Sequence, residues 1–215
     1  MESILPRKWL LVLLSGAALL SVVPARSESK NLAFNPSFEN LDAQNRPIGW
    51  RLLYSAEDKP IFEGAVPPVL CVTGGKAGEN THTGSSALQF SFPKESKLPE
   101  RFTWSFDPVL SGIDLQPGVY EASVWVKTTQ GTEKLVVELW DANVPVERYS
   151  TGDQAIDQKV VEPGELQKGK WVKLQLPFGV PASGSKVRLA VSFHVSELSH
   201  DSQLFVDDLE VVKKK

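Results

Sequence analysis

Gln116-Pro117-Gly118-Val119-Tyr120-Glu121-Ala122-Ser123-Val124-Trp125-Val126-Lys127 decides how the rest of the chain is read. It opens on a turn signal, in which proline presets one backbone angle and glycine supplies freedom at the next position. A strict alternation follows. Tyr120, Ala122, Val124 and Val126 fall on one side, and Glu121, Ser123, Trp125 and Lys127 on the other. Successive side chains of a strand point to opposite faces, so this period of two predicts a strand with one face on a hydrophobic core and one facing away.

The same period recurs outward from this segment. Leu88, Phe90 and Phe92 alternate with Gln89 and Ser91, and Leu135, Val137 and Leu139 alternate with Val136, Glu138 and Trp140. Val172, Leu174, Leu176 and Phe178 alternate with Lys173 and Gln175, and Val187, Leu189, Val191, Phe193 and Val195 alternate with Arg188, Ala190, Ser192 and His194. Turn signals separate these runs: Asn45-Arg46-Pro47, Pro67-Pro68, Gly74-Gly75, Pro163-Gly164 and Pro181 to Gly184. No stretch carries a helical apolar stripe. The expectation is an all-β jelly-roll sandwich of two antiparallel sheets with about nine to eleven short strands. Residues 55–80 and 143–170 show no regular pattern and are expected to include long loops of the same domain, neither having the composition of a linker.

The chain has 215 residues and a formal net charge of -3, which predicts one domain and argues against nucleic acid as a partner, there being no basic stripe. Arg7 and Lys8 precede an apolar run from Trp9 to Val23 that ends at Pro24-Ala25. The run is shorter than the about 20 residues a helix needs to cross a bilayer. Residues 1–25 are therefore expected to be a signal peptide, residues 26–215 the mature domain without membrane insertion, and its location secreted or periplasmic. Cys71 is the only cysteine, so an intramolecular disulfide is excluded and the domain must be held by its core or by a metal.

No Gly-x-Ser-x-Gly elbow, His-Glu-x-x-His, Walker loop or Gly-x-Gly-x-x-Gly is present, and no catalytic group is expected. His82, His194 and His200 lack metal-ligand spacing, and Glu133, Glu138 and Asp141 read as carboxylates of a strand rather than a glycosidase pair. Trp125 and Trp140 carry more information, because both fall on the polar parity of their strands. Flat C–H faces of sugars pack on indoles, so an outward tryptophan among hydrogen-bonding side chains is a candidate platform. Glu138, Arg188 and His194 share that parity and complete the expected ligand-binding set, with Ser123 beside them; a covering loop or a bulge would instead bury the indoles. In the last strand Phe205, Asp207, Leu209 and Val211 share one parity, which predicts an inward Asp207 needing a cation, hydrogen bonds or a raised pKa.

Several local signatures stand in a familiar order. They are Asn35-Pro36-Ser37-Phe38-Glu39, Gly49-Trp50, His82-Thr83-Gly84-Ser85-Ser86, Leu115 to Tyr120 running on to Lys127, Gly169-Lys170-Trp171 and Phe205-Val206-Asp207-Asp208-Leu209. Together they resemble the family 4, 9 and 22 carbohydrate-binding modules, over nearly all of the mature chain. The resemblance implies a galactose-binding-like jelly roll with a carbohydrate ligand, and it allows a separate glycoside hydrolase as a docking partner. It also implies a structural calcium ion held by Glu39, Asp207 and backbone near Gly84 to Ser86, an oxygen set that suits this cation. The leading expectation is a non-catalytic carbohydrate-binding protein. The alternatives are a structural or adhesion module of the cell envelope and, further off, a glycan-active hydrolase.

Overall fold

The computed structural model describes residues 30–54, 69–91, 102–108, 113–130, 134–141, 155–162, 164–195 and 203–215. The expected signal peptide at residues 1–25 lies outside them, as do His200 and about half of the two irregular stretches, whose described parts hold two strands, Val69–Gly74 and Ala155–Val161, besides loops. Eleven strands follow in chain order: β1 Trp50–Tyr54, β2 Val69–Gly74, β3 Ser86–Ser91, β4 Phe102–Pro108, β5 Ile113–Leu115, β6 Gly118–Thr128, β7 Lys134–Asp141, β8 Ala155–Val161, β9 Val172–Val180, β10 Ser185–Val195 and β11 Gln203–Lys213.

They form two sheets. One runs β1-β4-β10-β7-β8 with β5 added against β10, and the other runs β2-β3-β11-β6-β9. Every strand pairing is antiparallel. The fold is the jelly-roll sandwich that the alternation predicts. Tyr120, Ala122, Val124 and Val126 of β6 and Leu174, Leu176, Phe178 and Val180 of β9 are all buried in one core, facing Leu135, Val137 and Leu139 of β7.

Two features depart from simple alternation. On β11 the register against β6 slips between Asp207 and Glu210, and Asp208 takes a positive φ of 45°. One extra residue at such a bulge exchanges the faces of a strand. Leu204 and Val206 before it, and Leu209 and Val211 after it, therefore all reach the core. Asp207 is consequently not an inward residue of the sandwich, as parity predicts. It lies on the outer face with Phe205, and is still fully buried.

On β7 both faces are covered. Trp140 is 0% exposed, Glu138 2% and Val136 3%, although they alternate with the core residues Leu135, Val137 and Leu139. Trp140 and Glu138 are thus not the open platform that their polar parity predicts. Alternation reports which side of a sheet a residue takes, and here the side away from the core is itself covered.

Residues 31–36 lie along β11. Asn31 donates from Nδ2 to the Leu209 carbonyl at 2.8 Å and accepts from the Val211 amide at 3.0 Å, and the Leu209 amide donates to the Pro36 carbonyl at 2.9 Å. Trp50 is buried against Phe38, and its Nε1 donates to the carbonyls of Phe34 and Asn35. Truncating Leu88, which is 0% exposed in the core, is expected to cost about 2–5 kcal/mol in chemical denaturation. Gln175→Ala, on the exposed face of β9, is expected to change stability by less than about 0.5 kcal/mol.

Candidate functional site

The turn at residues 81–86 carries the most concentrated chemistry of the described molecule. Glu39 Oε1 accepts from the amides of Ser85 at 2.7 Å and Ser86 at 2.9 Å, and Oε2 accepts from their hydroxyls at 2.6 and 3.3 Å. Asp207 Oδ2 accepts from the amides of His82 at 2.8 Å and Thr83 at 3.3 Å, while Oδ1 accepts from the Asp208 amide at 2.8 Å. Asp208 accepts from the hydroxyls of Ser37 at 2.6 Å and Thr83 at 2.8 Å. Its Oδ2 also meets His82 Nδ1 at 2.7 Å, and because an ionised carboxylate only accepts, the imidazole proton sits on Nδ1.

Gly84 makes this clasp possible. Its φ is +58°, a conformation that favours glycine, and a Cβ there would collide with the Glu39 carboxylate.

The three carboxylates respond differently to this environment. Burial opposes ionisation of Glu39 and Asp208, but the hydrogen bonds from Ser85 and Ser86, and from Ser37, His82 and Thr83, outweigh it and hold both pKa values below the ordinary range. Asp207 is pushed up to about 7 by burial and by the neighbouring Asp208, against the pull of its amide donors.

Two carboxylates and two serine hydroxyls reach one turn, and these hard oxygens have the chemistry of a calcium site. Both oxygens of each carboxylate already accept hydrogen bonds, so the clasp closes on protein groups alone. Among the described residues no three His, Cys, Asp or Glu side chains gather as a metal cage.

Beside the clasp, on the outer face of the five-stranded sheet, lies an aromatic row. The His82 imidazole stacks on Trp125 with centroids 3.8 Å apart and planes 16° apart. It also meets Trp171 edge-on at 5.6 Å, and Trp171 meets Phe205 at 6.5 Å. The Lys127 ammonium lies 4.5 Å from the Phe205 centroid and 5.3 Å from that of Trp171. Below Trp125 the face turns polar. Lys173 donates to Glu210 at 2.8 Å, Ser123 donates to the same oxygen at 3.1 Å, and Glu121 accepts from Gln175 at 3.2 Å and pairs with Lys214 at 2.9 Å.

Trp125 is the half-buried member of the expected set, one indole face taken by His82. The other four belong to the other sheet, where the register sets Arg188 opposite Trp140 and His194 opposite Lys134. The side chains of Arg188 and His194 lie outside the described residues. His82, Asp208, Lys127, Trp171 and Phe205 were not expected as a cluster. The His-Thr-Gly turn and the Asp-Asp pair signal the clasp, but their meeting depends on strand order and on the bulge.

No protein-family model matches the sequence, and no curated protein matches it. Solved structures do. The first is a family 61 carbohydrate-binding module in complex with β-1,4-galactotriose, with a TM-score of 0.57 and 17% identity over 86% of this chain and 100% of that one. The chain has the fold of a carbohydrate-binding module. It is also similar to a putative sugar-binding protein from Bacteroides thetaiotaomicron, with a TM-score of 0.51 and 12% identity over 86% of this chain and 100% of that one. A third likeness is to the adhesin domain of Lys-gingipain from Porphyromonas gingivalis, with a TM-score of 0.50 and 13% identity over 83% and 96% of the two chains. At such identities the likeness concerns the fold.

The raised pKa of Asp207 has a defined consequence. Between about pH 4 and about pH 7 the folded protein keeps a proton that the unfolded chain has lost, so this group's contribution to stability falls as pH rises through that window. Thermal melts in chelator across the window are expected to show that decline in the wild type and a flatter profile in Asp207→Asn. The slope is the readout, since the variant's amide nitrogen cannot accept the Asp208 N–H and the absolute stability drops as well.

Proposed function

We propose that this chain is an exported, non-catalytic carbohydrate-binding protein whose ligand lies on the outer face of the five-stranded sheet at Trp125. The observation that carries the reading is the half-buried indole at the head of a polar lattice of Lys173, Glu210, Gln175 and Glu121. Sugars need such a pairing, a flat apolar surface for C–H faces beside groups that donate and accept hydrogen bonds. The fold is one that carries sugar binding in the galactotriose-bound module. Export rests on residues 1–25, and docking to a separate glycoside hydrolase remains part of the proposal. Among the described residues no helix is long and apolar enough to cross a membrane.

A structural or adhesion role without sugar binding is the second reading. His82 covering one face of Trp125, and complete burial of Trp140, favour it. Retardation in polysaccharide gels separates the two. Trp125→Ala is expected to weaken binding to whichever polysaccharide retards the wild type by about 1–3 kcal/mol. Unchanged retardation of a folded variant would remove Trp125 from the site, and a wild type retarded by no polysaccharide would favour the adhesion reading.

We also propose that Glu39 and Asp207 hold a structural calcium ion. The convergence of both carboxylates and of the Ser85 and Ser86 hydroxyls on one turn, with Asp207 buried, supports it. The ion would supply positive charge to Asp207 and join the first segment to the last strand. At calcium about a hundredfold above its dissociation constant, melting is expected to rise by about 5 to 10 °C over chelator. Equal melting temperatures would mean that the clasp works by hydrogen bonds alone.

A further inference from the structure

Two donors in the aromatic row lack protein acceptors: the Lys127 ammonium, on a largely buried side chain, and the buried Trp171 Nε1. Lys127 is 8% exposed, and its ammonium faces the rings of Phe205 and Trp171. Among the described residues no carboxylate forms an ion pair with it. Glu79 acts on it only through space, while burial holds its pKa below the ordinary lysine value. The second donor is Trp171 Nε1, which is buried and has no hydrogen-bond partner. Buried polar groups are nearly always satisfied, so a buried donor without an acceptor is unfavourable. Ring faces offset part of that cost for the ammonium but offer nothing to the indole N–H, which is a donor only.

The neighbouring carboxylates do not serve these donors. Asp207 is held by the amides of His82, Thr83 and Asp208, Asp208 by His82, Thr83 and Ser37, and Glu210 by Lys173 and Ser123. The ammonium and the ring bearing the N–H are 5.3 Å apart, a separation that one group with two or three oxygens can bridge.

The geometry points to a subsite for an anionic group on a saccharide, a uronic-acid carboxylate or a sulfate ester, received by Lys127 Nζ and Trp171 Nε1 with the Trp125 indole beside it. This deepens the proposed function and rests on it: the ligand class becomes acidic glycans. Charge-assisted bonds to such a group are strong where water is excluded. The overall charge of -3 does not favour polyanions, so preference for one would have to come from a local site.

Matched gels test this with the intact protein at fixed ionic strength: polygalacturonate against its methyl ester, and dextran sulfate against dextran. The acidic member of one pair is expected to retard the protein about tenfold or more strongly than its neutral partner, and the pair that responds names the source of the charge. Lys127→Met should abolish that preference and Lys127→Arg should restore part of it, whereas Lys76→Met, at an exposed position, should leave it intact. Trp171→Phe, which keeps a ring and removes the N–H, should reduce it. Should Lys127→Met fail to fold, the Trp171→Phe result decides. Equal retardation by both members of each pair, or a preference untouched in a folded Lys127→Met, overturns the acidic subsite while leaving carbohydrate binding standing. Failure of every saccharide to retard the wild type overturns both.

Discussion

A buried carboxylate on a central strand has to be answered, and in this protein the answer is given by a turn. β11 lies in the middle of its sheet between β3 and β6, and Asp207 sits there at 0% exposure. The amides of His82 and Thr83 donate to it from the 81–86 turn, beside the bulge that follows Asp207. Asp208 and Glu39 bind further along the same turn. Three segments far apart in sequence are thereby joined without a disulfide, which a chain with one cysteine could not form. The positive φ of Asp208 and of Gly84 belongs to the same device, since each bends the backbone where a donor and an acceptor must meet.

The placement of the aromatic row follows. His82 is held at Nδ1 by Asp208, and its ring then lies flat on Trp125. The stack positions His82 against Trp171, and Trp171 in turn borders Lys127 and Phe205. Electrostatic closure of the sandwich and orientation of its outer aromatic surface are therefore one network. A change at Asp208 should be felt at Trp125 even though the two side chains are not joined directly.

The alternation of β6, β9 and β7 was legible because each strand packs one clean face on the core, and the core residues read from Tyr120 to Val126 and from Leu174 to Phe178 are buried as expected. The two departures from alternation share a cause. Period two assigns a side, but it does not report whether that side is covered, so it cannot distinguish the covered face of Trp140 and Glu138 from an open one. It also assumes an unbroken register, so one extra residue at Asp207-Asp208 moved an aspartate from the inner face to the outer one. The Asp-Asp pair and the His-Thr-Gly turn were visible as signatures, but their contact is set by strand order, which no local pattern carries. Trp125 was legible as an outward indole, whereas its partner His82 was not.

On this outer face satisfied and unsatisfied groups lie side by side, and the contrast separates structure from function. The carboxylates of Glu39, Asp207 and Asp208 each accept three or more hydrogen bonds or hydroxyl and imidazole contacts, as groups that hold a fold together must if burial is not to destabilise it. Lys127 and Trp171 Nε1, a few residues along the same sheet, receive nothing comparable from the protein. A fold that answers its buried anions this fully has no physical difficulty in answering two donors, and a glutamate across the strand would have sufficed. Gln89 and Phe205 occupy the register positions where it could stand: Phe205 pairs with Lys127 on one side and with Gln89 on the other. On the acidic-subsite proposal these donors await an acceptor that comes from outside, and the ring of Phe205, 4.5 Å from the ammonium, borders the place it would take.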